Sequence, residues 1–321
     1  VDVQRITFLL GAVIGVPLVI VAYIVLTDAG VRRLPPRLQP AVRPWIWVGP
    51  ALVLVSAFLV YPSVVTVWIS LLSPDGKRFV GLANYAHVLT DNSVLIAIRN
   101  NIYWLVFYTG GVLVLGLILA VLADRVPYEA PLKSLFFMPM AISFVAAGVI
   151  WTFMYDFAPE TGTLNAAWTA ITRQNAIPWL IDHRVNNLAL IFVAVWIWTG
   201  FAMVITSAAL KGIPIELLEA ARVDGANELT VFRRIIGPLL APTLTVIGTT
   251  LVIFALKAFD IVYVMTNGLY DTDVMARRMY GEMFANQNFG RSGAIAVILL
   301  LAVIPVLVFN VRRLRFQEAI R

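Results

Sequence analysis

Seven long apolar stretches punctuate this chain, separated by short polar runs. They cover roughly Ile6–Leu26, Trp45–Leu72, Asn101–Ala123, Ser134–Tyr155, Leu188–Leu210, Ala241–Thr266 and Ser292–Val311. A helix crossing the hydrocarbon of a bilayer needs about 20 predominantly apolar residues. The period-two alternation over about ten residues that marks a membrane β-barrel is absent. The pattern therefore predicts an all-α, polytopic membrane helical bundle. The first stretch is read as an N-terminal accessory transmembrane helix and the other six as the core. Its apolar run of about 20 residues exceeds the 7–15 of a secretory signal, so it is expected to be retained. Residues 27–44 hold Pro35, Pro36, Pro40 and Pro44 and read as a stiff linker. The chain is thus expected to divide into 1–44, accessory helix and linker, and 45–321, the membrane domain.

Composition agrees. Hydrophobic residues make up 60% of the 321 positions and charged residues 13%, where soluble domains hold about 45–50% and about 25%. There is no cysteine, hence neither a disulfide framework nor a thiolate site. His87 and His183 are the only histidines and lie far apart, so no metal site is expected. The net charge of +6 is read as membrane orientation rather than nucleic-acid binding. With 27–44 inside, the clusters Arg32-Arg33, Arg233-Arg234 and Arg312-Arg313 all fall on the cytoplasmic side. The positive-inside rule then puts the N-terminus outside and the C-terminus inside.

One cytoplasmic connection is long. Lys211–Leu240 reads KGIPIELLEAARVDGANELTVFRRIIGPLL. Pro214 suits the first turn of a helix, and Glu216 and Glu219 lie early, where the helix dipole favours acids. Leu217, Leu218 and Ala221 recur at helical spacing. Asp224-Gly225 breaks the helix, Asn227 caps a second, and Pro238 is expected to end it. The result is a helix–turn–helix across the cytoplasmic face.

The spacing of Glu219-Ala220-Ala221, Gly225, Ile235 and Pro238 resembles the EAA loop of ATP-binding-cassette importer permeases. Gly237 stands where the usual ending has leucine. Phe79–Tyr85, Asn100-Asn101, Trp198–Phe201 and Phe259–Gly268 extend the resemblance to carbohydrate-type permeases. Met138–Phe144 and Arg277–Tyr280 look most like permeases of the maltose and α-glucoside kind, near the first, larger maltose permease subunit.

This resemblance implies a permease subunit of the bacterial cytoplasmic membrane that imports a carbohydrate. Its partners would be a second homologous permease, two ATPase subunits and an extracytoplasmic solute-binding protein, within membrane lipid. Glu219, Ala220, Ala221, Asp224, Gly225, Ile235 and Pro238 would form the coupling element. ATP and Mg would belong to the ATPase, because no G-x-x-x-x-G-K-[ST] phosphate loop occurs in this chain. No catalytic cluster is evident either.

Lys257 and Asp260 fall inside the span 241–266. On one continuous helix they share a face, about 4.5 Å apart along the axis. A charge at mid-membrane costs about 2.5–3.5 kcal/mol on insertion scales, so neither should face lipid. They either pair with each other or line a pathway. An ion-coupled secondary transporter built on this pair is the alternative reading of the whole chain. The resemblance places a sugar site on the helices flanking the EAA loop. It points to Trp196, Thr199, Gly200 and Met203 before the loop, and to Phe254, Lys257, Ala258 and the nearby Asp260 after it.

Overall fold

The computed structural model describes residues 3–318. Among them helices are the only regular elements, with one isolated β-bridge, Leu72 to Phe79. It forms two compact units, 1–65 and 66–321.

In the first unit, α1 (Val3–Arg32) is followed by α2 (Gln39–Ile69), which continues into the second unit. Asp28 accepts from Arg32 at 2.8 Å and from Arg43 at 2.7 Å. The expected linker over 27–44 shrinks to the turn at 33–38. Pro40 stands in the first turn of α2, where its missing N–H has no partner to lose. Pro44 is carried inside that helix.

The second unit holds α3 (Ala83–Thr90), α4 (Asn92–Ala123), α5 (Glu129–Ala141), α6 (Phe144–Met154) and α7 (Thr163–Thr172). Next come α8 (Asn186–Lys211), α9 (Ile215–Val223), α10 (228–256), α11 (Asp260–Met265), α12 (Met275–Phe284) and α13 (Phe289–Glu318). Among the described residues six runs, counting those in α1 and α2, are long and apolar enough to cross a membrane, and α5 with α6 supplies a seventh if the bent pair is one span.

The centre of this unit is α8, with 67% of its apolar window buried. Small residues let other helices approach it closely, as membrane packing favours. A Cβ on Gly116 of α4 would lie 2.5 Å from the Cβ of Ala202. A Cβ on Gly200 would lie 2.2 Å from the Phe136 carbonyl oxygen of α5.

Two predicted spans are broken. Ser134–Tyr155 is not one crossing helix, since α5 and α6 meet at a bend of 100°. Pro139 lacks an N–H, Met138–Ala141 tightens to a 3₁₀ turn, and Ile142 and Ser143 are extended. Ser143 then caps α6, its hydroxyl accepting from Ala146 N at 3.1 Å.

The span 241–266 is broken too. Helix α10 stops at Leu256 and α11 starts at Asp260. Lys257 and Asp260 therefore flank a break instead of sharing a helix face. No ion pair joins them among the described residues.

Candidate functional site

Around that break lies a cavity of about 180 Å³. Trp104 and Tyr108 come from a π-type turn within α4, which rotates both rings inward. Phe144 opens α6, Ala194 and Trp198 come from α8, and Phe254 through Ile261 bring Lys257, Ala258 and Asp260. Trp198 packs against Phe254, ring centroids 4.2 Å apart.

The chemistry of this wall is mixed. Trp104 Nε1 and the Tyr108 hydroxyl are buried without a hydrogen-bond partner. Lys257 and Asp260 are exposed toward the cavity side of the break. Aromatic side chains, one ammonium and one carboxylate thus border a small space. That set suits a ligand with apolar C–H faces and a rim of hydroxyls.

The break itself is held open by Asn101. Its Nδ2 donates to Ala255 O at 3.2 Å and Leu256 O at 3.4 Å, reaching carbonyls at the end of α10. Its Oδ1 accepts from Met275 N at 2.8 Å. Asn100 donates to Asp271 O and Asp273 O, both at 2.7 Å, pinning the turn before α12. Burial pushes the Asp273 carboxyl above the usual range, and Arg277 at 3.1 Å opposes that shift.

Of the residues anticipated for the sugar site, Phe254, Lys257, Ala258 and Asp260 line the cavity. The four from α8 do not. Trp196 makes an edge contact with Trp151 at 5.5 Å. The Thr199 hydroxyl donates to Val195 O at 2.6 Å. Gly200 packs on Phe136 and Phe137, and Met203 is fully buried. The cavity instead takes Ala194 and Trp198, four residues apart on another face of α8. Trp104 and Tyr108 were not anticipated. Their i, i+4 aromatic spacing was legible, but the π-type turn that aims them was not.

At the far end of α8 the loop folds largely as its spacing predicts. Helix α9 ends in a Schellman motif, Ala226 N donating to Ala221 O and Gly225 N to Arg222 O, both at 3.0 Å. Gly225 has φ +82°, and a Cβ there would meet nothing within 4 Å. Asn227 Oδ1 accepts from Thr230 N at 2.9 Å, capping α10. Glu219, Ala220 and Asp224 are exposed, and Ala221 and Ile235 half-buried.

Pro238 does not end the second helix. Phe232–Ile236 widens into a π-type turn, with Gly237 N donating to Phe232 O, and the helix runs on through Pro238 into the span. The wider turn absorbs the hydrogen bond that proline cannot donate.

Fold and site define a multi-pass membrane permease with a surface loop at one end and a polar-lined cavity at a helix break. Residues 112–320 match the family described as the binding-protein-dependent transport system inner membrane component, and the chain belongs to it. It is 50% identical over 280 residues to the osmoprotective compounds uptake permease protein GgtC of Synechocystis, covering 86% of this chain and all of that one. It is 43% identical over 281 residues to the alpha-glucoside transport system permease protein AglF of Rhizobium meliloti, covering 86% and 83%. Its fold is similar to that of a bacterial ABC transporter involved in the import of the polysaccharide alginate, with a TM-score of 0.75 at 18% identity, covering 87% of this chain and 97% of that one.

Proposed function

We propose that this chain is the permease half-channel of an ATP-driven importer for an α-glucoside. The observation that carries the reading is the cavity at the α10–α11 break, where the aromatic side chains of Trp104, Tyr108, Trp198 and Phe254 meet Lys257 and Asp260. The name of the relative AglF, an alpha-glucoside transport permease, supports the substrate class. Family membership sets aside the ion-coupled reading, and the separation of Lys257 from Asp260 removes the intramembrane pair on which it rested.

The loop after α8 docks on an ATPase subunit. Ile215, Leu217, Val223 and Leu229 are exposed on it, Val223 at 88%, and an apolar face of this kind calls for a partner. ATP and Mg bind that partner, and this chain has no nucleotide site of its own. A second, homologous permease completes the pathway, two ATPases sit below, and a solute-binding protein delivers the sugar from outside. The loop-bearing end is cytoplasmic, the N-terminus outside and the C-terminus inside. ATP-driven closure of the ATPases shifts the permeases between inward- and outward-open states by favouring one of them.

The test is a mild-detergent pull-down of the tagged chain, followed by ATPase assays with its binding protein and maltose, sucrose or trehalose. One ATPase and one second permease should co-purify, and at least one of these sugars should raise hydrolysis several-fold. Recovery of the chain alone under several detergents would overturn the importer assembly.

The cavity predicts a second result. Lys257→Met with Asp260→Asn should lower uptake of that sugar at least tenfold with membrane levels unchanged. Undiminished uptake would remove both side chains from the substrate path.

A further inference from the structure

Asp124 ends α4, where an acid opposes the helix dipole. Lys133 lies one turn into α5 and is mostly buried. Each is tolerated because of the other, at 2.7 Å. Lys133 Nζ also donates to Glu129 Oε1 and to Ser207 Oγ of α8. Ser207 donates to Asp124 at 2.6 Å, and Lys211, the last residue of α8, donates to Glu129 at 2.5 Å. The network therefore grips α8 immediately before the loop begins.

The same short connection reaches the second helix of the loop. Arg125 lies 3.8 Å from Glu228, the first residue of α10, and Glu228 accepts from Arg222 of α9 at 3.0 Å. From Lys133, α5 runs past Gly200 to the break at Pro139–Ser143, and Phe144 beyond it lines the cavity. A static staple would be served as well by apolar residues of similar volume. Here the charges link the entrance of the loop, the start of its second helix and the helix that ends at the cavity.

We infer that the connection 124–133 is the second arm of the coupling device, clasping the start of the loop and the start of its second helix, with Lys133 the positioning residue that passes loop movement into α5 and its break. This rests on the loop being the ATPase-docking element.

The chain has no cysteine, so Ala141→Cys, an exposed position in the break, takes an environment-sensitive fluorophore without background. The probe is ATP with orthovanadate, added to the assembled complex. The labelled parent and Lys133→Arg should give a spectral shift. Lys133→Met should lose at least four-fifths of it, with basal hydrolysis within twofold of the parent. If Lys133 only stabilises the fold, Lys133→Met lowers yield or melting temperature but keeps the full shift per assembled complex, which overturns the inference. So does a parent that hydrolyses ATP without any shift.

Lys211→Met covers the case in which Lys133→Met does not assemble. Its side chain is half exposed, and the shift should fall at least twofold. A full shift there overturns the inference. Gly225→Val separates the two readings. A full shift in Gly225→Val means that the loop itself is not the coupling element. A shift lost there but kept in Lys133→Met means that only the clasp fails.

Discussion

Gly225→Val is expected to leave the chain in the membrane at a normal level and to lower sugar uptake at least tenfold. Gly225 takes φ +82° at the end of α9. A residue with a Cβ pays about 1–2 kcal/mol in that region, and a β-branched one is a genuine outlier there. A Cβ meets no neighbour, so the strain is not steric crowding and does not reach the bundle. The chain relieves it by giving up the Schellman bonds from Gly225 and Ala226, and α9 then leaves its angle to α10. Docking geometry is lost while the membrane fold persists. ATPase activity measured on the same preparation should become insensitive to loaded binding protein. Normal uptake at a normal expression level would remove this turn from the coupling route.

Gly200→Ala is expected to act in the opposite way, on the fold. A Cβ at this position meets the Phe136 carbonyl oxygen at 2.2 Å and the Phe137 Cα at 2.6 Å. Both are backbone atoms, so no rotamer relieves the contact. Overpacking costs about 1–3 kcal/mol and occasionally more, and a clash with backbone belongs at the upper end. Thermal stability of the purified complex should fall by several degrees and the yield several-fold. Thr199→Ala next to it, which removes only a local bond to Val195, should leave both nearly unchanged. Equal stability of Gly200→Ala and the parent would mean that α5 does not rest on α8 at this point.

These two glycines mark what the sequence made legible. Gly225 was readable because a turn glycine follows from local rules, as did the Asn227 cap and the dipole-favoured acids of α9. The spans were readable because each obeys one arithmetic of length and hydropathy. The packing of Gly200 on α5 was not legible, because close helix packing is a relation between distant segments, and nothing local to Trp198–Phe201 reports the approach of Phe136. The cavity was half legible. Lys257 and Asp260 stood out as charges in an apolar run. The break between them did not, since residues 257–259 contain neither glycine nor proline. The carbonyls exposed there are met by Asn101, more than 150 positions away. Pro238 misled for a related reason: a wider helical turn upstream lets a proline pass that local rules treat as a stop.

That passage through Pro238 has a mechanical meaning. Because α10 runs from Glu228 to Leu256 through a π-type turn, Pro238 and Pro242, it extends over roughly 40 Å at about 1.5 Å per residue. One end belongs to the surface loop and the other bears Lys257. A tilt of a few degrees about the near end swings the far end by roughly 2–3 Å over such a length, enough to remake or break a hydrogen bond. On the proposed docking of the loop, push and response would sit at the two ends of one continuous helix.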